Sequence, residues 1–359
     1  MMTAARPIYL TAKLRQGLRA YHAAGGKAAL LLLHDEQTGT AAIEALSNAR
    51  QRSGPADPQR RPGAGLPAHV IPVGIRHAAS TGLDVWLAAL AYGAGQVAIL
   101  LDGSQAPQYR LALSEKAALA NAIVSGLGLP QEAVRIIDAA DAIDRAPLSE
   151  RLRGQGLPRT GIAQPAGFQL SNEKRRSVET AIDHLSRQVG YQQSAPIALP
   201  AGSPFGAITV NTQTCTMCLA CVGACPQSAL ADNQEAPQLR FLERNCVQCG
   251  LCEATCPENA ITLVPQLDLS AQAKELRVLN EAKPFHCISC SKPFGTAVMV
   301  ENMMARLAGH ALFPGRAIER LKMCADCRVV DMMNNKAEKT IFDFTGAAPS
   351  KDAADKGNS

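Results

Sequence analysis

No cysteine precedes Cys215 in this chain of 359 residues. Charge is sparse as well, with Asp, Glu, Lys and Arg at 19% against about 25% in ordinary globular chains. No apolar run reaches the roughly 18 residues that a membrane-spanning helix needs; the nearest, Trp86 to Leu101, is broken by Gly93, Gly95 and Gln96. Membrane insertion is therefore not expected. The opening segment MMTAARPIYLTAKLRQGLRAYH has no apolar core, so no secretory signal is expected, and a soluble, cytoplasmic protein is. A stripe of basic residues interleaved with aromatics is missing, and a net charge of +5 with a pI near 8.6 is only mildly basic. No nucleic-acid partner is expected.

Apolar residues at 47% supply enough material for real cores, which rules out a wholly disordered chain. Length alone suggests two or three domains. Residues 11–24, 41–52 and 111–127 read as helices, and Thr81 is placed as the cap of a helix running to Tyr92. Residues 28–33, 70–75, 97–101 and 134–137 read as strands, with Pro72 weakening the second of them. Buried strands alternating with helices imply a doubly wound parallel α/β sheet over residues 1–152, a docking or scaffold domain. Residues 153–206 read as a Pro/Gly-rich linker holding one polar-faced helix over 172–190. Residues 52–67 read as a loop, and 336–359 as a mostly disordered tail.

All twelve cysteines lie between Cys215 and Cys327, each in a C-x-x-C unit or the run that extends it. A secreted disulfide scaffold is short and cysteine-rich throughout. Cysteines bunched in one part of a long chain point to metal instead. ITVNTQTCTMCLACVGACPQSALA from Ile208 and LRFLERNCVQCGLCEATCPENAITLV from Leu239 are copies of one pattern, offset by 31 residues from Cys215 to Cys246. Each reads as strand, cysteine loop, short helical turn, strand, so duplication predicts a small domain with a pseudo-two-fold axis.

Each copy carries C-x2-C-x2-C-x3-C-P: Cys215, Cys218, Cys221, Cys225 and Pro226, then Cys246, Cys249, Cys252, Cys256 and Pro257. Two-residue gaps let one tight loop wrap three corners of a cubic [4Fe–4S] cluster. In a two-cluster domain the fourth thiolate reaches the other cube. This assigns Cys215, Cys218, Cys221 and Cys256 to one cluster and Cys246, Cys249, Cys252 and Cys225 to the other. Ala220, Gly223, Ala224, Gly250 and Ala254 let the loops approach closely. Ile208, Val210, Leu230, Phe241, Ile261 and Leu263 are expected to form an apolar jacket. A disulfide or zinc framework is the alternative reading of this spacing.

On these motifs, residues 207–265 resemble a bacterial dicluster ferredoxin domain. The resemblance implies an α+β, ferredoxin-like (βαβ)2 fold, two [4Fe–4S] clusters and one-electron transfer. Five acids (Asp232, Glu235, Glu243, Glu253 and Glu258) stand against Arg240 and Arg244 in this stretch. That is few for a free soluble ferredoxin, and a solvated charged face explains it more simply than a partner surface.

A third group pairs Cys287 with Cys290 and Cys324 with Cys327 over residues 266–335. Two knuckles of this kind close a tetrahedral four-thiolate site, with Ser291, Lys292 and Arg328 placed to damp its charge. Zinc is the first choice, followed by rubredoxin-like iron or a third iron–sulfur cluster; two unlinked thiol pairs or a redox C-x-x-C are the alternatives. TAVMVENMMARLAG reads as an amphipathic helix packed through Val298, Met299, Met303 and Leu307. His286 and His310 are spare candidate ligands.

The first half offers no convincing phosphate cradle. The sequence around Lys27 lacks the earlier glycine of a P-loop, and Gly63-x-Gly65 has no helix behind it. His34, Asp35 and Glu36, and likewise Arg76 and His77, fall at strand ends where α/β sheets bind ligands, although a solvated loop explains them as well. IRHAASTGLDVWLAALAYGAGQVAILL resembles the doubly wound domain of hydrogenase and heterodisulfide reductase delta-type subunits, without their cluster cysteines. FHCISCSKPFGTAVMVENM and RLKMCADCR resemble the C-terminal cysteine module of cytoplasmic iron–sulfur proteins associated with formate dehydrogenase systems, of which this chain is read as a shortened version.

These observations point to an iron–sulfur electron-transfer protein or subunit with no catalytic residue of its own. Its implied partner is a redox protein, formate dehydrogenase or a related complex. A catalytic subunit with flavin or nucleotide in the α/β domain, and a redox-sensing regulatory or assembly protein, are the alternatives.

Overall fold

Leu30 to Leu33 and Val97 to Leu101 are apolar without alternation, and the strands they form are buried on both faces. That is the pattern of central strands in a parallel sheet covered on both sides. The computed structural model describes residues 7–52, 65–101, 103, 105–139, 148–153, 162–233, 235–310, 313 and 315–334. The expected tail over 336–359 and most of the expected loop over 52–67 lie outside these. Two compact units result: residues up to Gly206 with Pro265–Ser270, and Ala207–Val264 with the chain from Ala271 onward.

The first unit runs α1 (Pro7–Ala23), β1 (Leu30–Asp35), α2 (Thr38–Arg52), β2 (Val70–Ile75), α3 (Leu83–Ala91), β3 (Gln96–Leu101), α4 (Pro107–Gly126), β4 (Val134–Asp138), α5 (Leu148–Arg153), α6 (Lys174–Gln188) and β5 (Ile197–Ala198). Its sheet is parallel, in the order β2-β1-β3-β4. Pro72 falls on the edge strand β2, where a missing N–H is tolerated. Leu31, Leu33, Val97 and Ile99 meet α1, α3, α4 and α6 on one face. Leu30, Leu32, Ala98 and Leu100 meet α2 and α5 on the other. Asn121 ties α4 to the outer strand, accepting from Val134 N at 2.9 Å and donating to Val134 O at 2.8 Å.

The second unit continues with β6 (Gly206–Val210), α7 (Ala220–Ala224), β7 (Leu230–Ala231), β8 (Gln238–Phe241), α8 (Leu251–Thr255), β9 (Ile261–Leu267), β10 (Arg277–Glu281), β11 (Pro284–His286), β12 (Pro293–Thr296), α9 (Ala297–Leu307), α10 (Arg316–Glu319) and α11 (Ala325–Asn334). β6 lies beside β9, and β8 pairs antiparallel with both β7 and β10. β11 and β12 form an antiparallel hairpin. No described helix is long and apolar enough to cross a membrane.

Three expectations change. Thr81 does not cap α3: Gly82 holds that position, while the Thr81 hydroxyl donates to Ala78 O and accepts from Trp86 Nε1, both at 3.1 Å. Residues 162–206 are not a linker. Val178, Ala181, Ile182 and Leu185 bury one stripe of α6 in the first core, and the Arg175 guanidinium lies 4.7 Å from the Phe205 ring centroid. Composition cannot see such packing. The four-cysteine module is also not a unit apart from the preceding cysteine domain: the chain leaves that unit over Pro265–Ser270 and returns to it, and β10 pairs with β8.

Candidate metal centres

The duplication is written in the backbone. Left-handed residues recur at the repeat offset: Met217 and Gln248 (φ 55° and 53°), Leu219 and Gly250 (60° and 77°), Ser228 and Asn259 (both 49°). Such conformations cost free energy at non-glycine positions and survive where the surroundings demand them. Here they curl each cysteine loop around a hollow. α7 begins directly after Leu219 and α8 directly after Gly250, and the two short helices pack together.

The empty space at each hollow is about 360 Å³, with the solvent at its mouth included. Cys215, Cys218, Cys221 and Cys256 line one, with Met217, Leu239, Glu258 and Ile261. Cys225, Cys246, Cys249 and Cys252 line the other, with Ile208, Gln227, Leu230, Phe241 and Leu263. Each hollow thus takes three cysteines from one copy and the last from its twin. Of the expected jacket, Val210 packs against the surrounding core rather than lining either hollow. Leu239, Met217, Gln227 and Glu258 were not anticipated; aligning the two copies would have singled out the last two, which share one repeat position.

The transferred thiols are held in the same way. Ala229 N–H donates to Cys225 Sγ at 3.2 Å and Ala260 N–H to Cys256 Sγ at 3.3 Å. Gln248 Nε2 lies 3.4 Å from Cys246 Sγ and donates to Ala207 O at 2.8 Å. Burial, reinforced by the charges of Cys215, Cys218 and Cys252, pushes the Cys221 thiol up to about 12. Burial and the charge of Cys246 push Cys252 up to about 11. Buried thiols of this kind are stabilised as thiolates by a cationic metal. The soft donor set and its apolar wall fit an iron–sulfur cluster.

The third group is smaller. The sulfurs of Cys287, Cys290, Cys324 and Cys327 all lie within 4.8 Å of one another. Cys290 and Cys324 are 3.7 Å apart, close to the edge of about 3.8 Å that a tetrahedron with Zn–S bonds of about 2.3 Å requires. A single ion fits this set, and a cube does not. Ile288 N–H donates to Lys322 O at 3.1 Å and joins the two knuckles. Burial pushes the Cys287 thiol up, but backbone donors at Cys324, Cys290 and Ser289 prevail and bring it to about 6. His286 and His310 stand outside the group and are exposed. In α9 the buried residue is Val300, Met299, Met303 and Leu307 are half-buried, and Val298, 39% exposed, falls outside the expected apolar stripe.

Two of the strand-end candidates of the first unit, Asp35 and His77, have structural work. Asp35 Oδ1 accepts from Ala78 N at 2.7 Å and Oδ2 from Gln105 Nε2 at 2.8 Å. His77 caps the 3-10 turn Ala78–Ser80 through Ala79 N. A cavity lined by His22, Lys27 and Gly93 adjoins residues that precede β1 and β3, the end opposite to that at which α/β sheets bind ligands.

Residues 214–261 match the family model described as the 4Fe-4S dicluster domain. That span contains both cysteine runs. No curated protein matches the chain.

Proposed function

We propose that this protein is an electron carrier or electron-transfer subunit holding two [4Fe–4S] clusters and one zinc ion, and that it works in the cytoplasm beside a partner oxidoreductase. The observation that carries the reading is the crossed composition of the two hollows, three cysteines from one copy and one from the other. Such clusters supply reversible one-electron chemistry when bound. The protein's own contribution is placement and tuning. Amides at Ala229 and Ala260 donate to sulfur, apolar side chains limit water, and the short helices that carry Cys221 and Cys252 pack together.

Cys218 and Cys249 are exposed, one at each site, which leaves each site a route to a partner. The resemblance of the C-terminal cysteine module makes a formate dehydrogenase-type complex the partner class we propose. Anaerobic stopped-flow mixing tests the role: the reduced protein should pass about two electrons to a one-electron acceptor such as cytochrome c, with no organic substrate present. A protein that cannot be reduced, or that gives up no electrons, contradicts it.

A further inference from the structure

The two hollows that duplication made alike differ by one charge. Gln227 lines one and Glu258 the other, both following the Cys-Pro that ends their copy. Glu258 has a counter-ion: Arg306 Nη2 donates to Oε1 at 2.8 Å and to Oε2 at 2.7 Å. Arg306 belongs to α9. The start of that helix is fastened to the same cysteine loop by Thr296 Oγ1, which donates to Thr216 O at 3.1 Å. Thr296 in turn ends the hairpin that carries Cys287 and Cys290 between its strands, and α9 packs on the turn Arg320–Lys322 that leads into Cys324. One module therefore carries both the four-thiol site and the arginine.

We infer that this module sets the reduction potential of one cluster: Arg306 offsets Glu258 beside the Cys215, Cys218, Cys221 and Cys256 site, and the ion in the four-cysteine site holds Arg306 there. The inference rests on the cluster reading above. Adding an electron to a cluster is disfavoured by a neighbouring carboxylate and favoured when that carboxylate is paired. The Glu258 side chain is 18% exposed and Arg306 63%, so solvent softens the effect without changing its sign. The other site has the neutral Gln227 and needs no counter-ion. With the module seated the two sites are electrostatically similar. With it displaced, Glu258 is bare and only the first site falls in potential. Occupancy of the four-cysteine site is in this way coupled to the direction of electron flow.

EPR-monitored redox titration of the full-length protein tests this, with C218S and C249S identifying which signal belongs to which site. R306M should move the first site to more negative potential, E258Q should move the same site to more positive potential, and Q227E should lower the second site alone. C290S should reproduce the R306M shift; if that variant loses iron, T296V, which frees the start of α9, takes its place. Opposite shifts at one site cannot come from loosened packing. R306M and E258Q leaving both potentials unchanged, or moving them in one direction, with iron and sulfide intact, overturns the tuning inference alone. An unshifted C290S overturns the part given to the ion, and an unshifted T296V the part given to the seating of α9. Unsubstituted protein without [4Fe–4S] signals overturns the reading beneath it.

Discussion

Thr296 and Thr216 lie 80 positions apart, yet the hydroxyl of one donates to the carbonyl of the other in a buried contact. The same oxygen accepts from Met299 N at 3.2 Å and so caps α9. T296V removes both interactions, while T296S keeps them. We predict a loss of about 1 to 2 kcal/mol for T296V and a smaller one for T296S, read from urea unfolding of the full chain.

Crossed ligation has a direct genetic signature. C256S should abolish the EPR signal that C218S abolishes and leave the one that C249S abolishes. Iron should fall from about eight to about four per chain. Uncrossed ligation reverses the pairing, with C256S matching C249S.

Asp35 spends both carboxylate oxygens on loops beyond the strand ends, at Ala78 and Gln105. Its replacement in D35A strands a backbone N–H and a side-chain amide. The expected cost is about 2 to 3 kcal/mol, measurable by chemical denaturation, with iron content unchanged.

Burial pushes His69 below its ordinary value of 6.5, against a backbone hydrogen bond with Leu152. The unfolded chain therefore binds a proton at higher pH than the folded one. Stability from this residue is complete above pH 6.5 and declines as pH falls through 6.5 toward the lowered value. Urea midpoints at pH 7.5 and 5.5 should show a decline that is shallower in H69Q.

Much of this was legible in residue order, for identifiable reasons. β1 and β3 announce themselves because strands buried on both faces need unbroken apolar runs. The cysteine spacings disclose three corners of each site because one loop wraps them. The stripe Val178, Ala181, Ile182 and Leu185 was visible at helical spacing too, but the surrounding Pro and Gly made the segment read as a linker. Thr216 with Thr296, and Glu258 with Arg306, carry no local pattern. Those pairs depend on how the hairpin and α9 settle on the cysteine loop, and only coordinates reveal them. Asp35 is ambiguous in sequence for a related reason: a carboxylate at a strand end serves a ligand or a loop, and its partners decide which.

The most direct test is metal and acid-labile sulfide analysis of anaerobically purified full-length protein. Two cubes and one tetrahedral ion require about eight iron, eight sulfide and one zinc per chain. Zinc throughout, with no labile sulfide, would contradict the account.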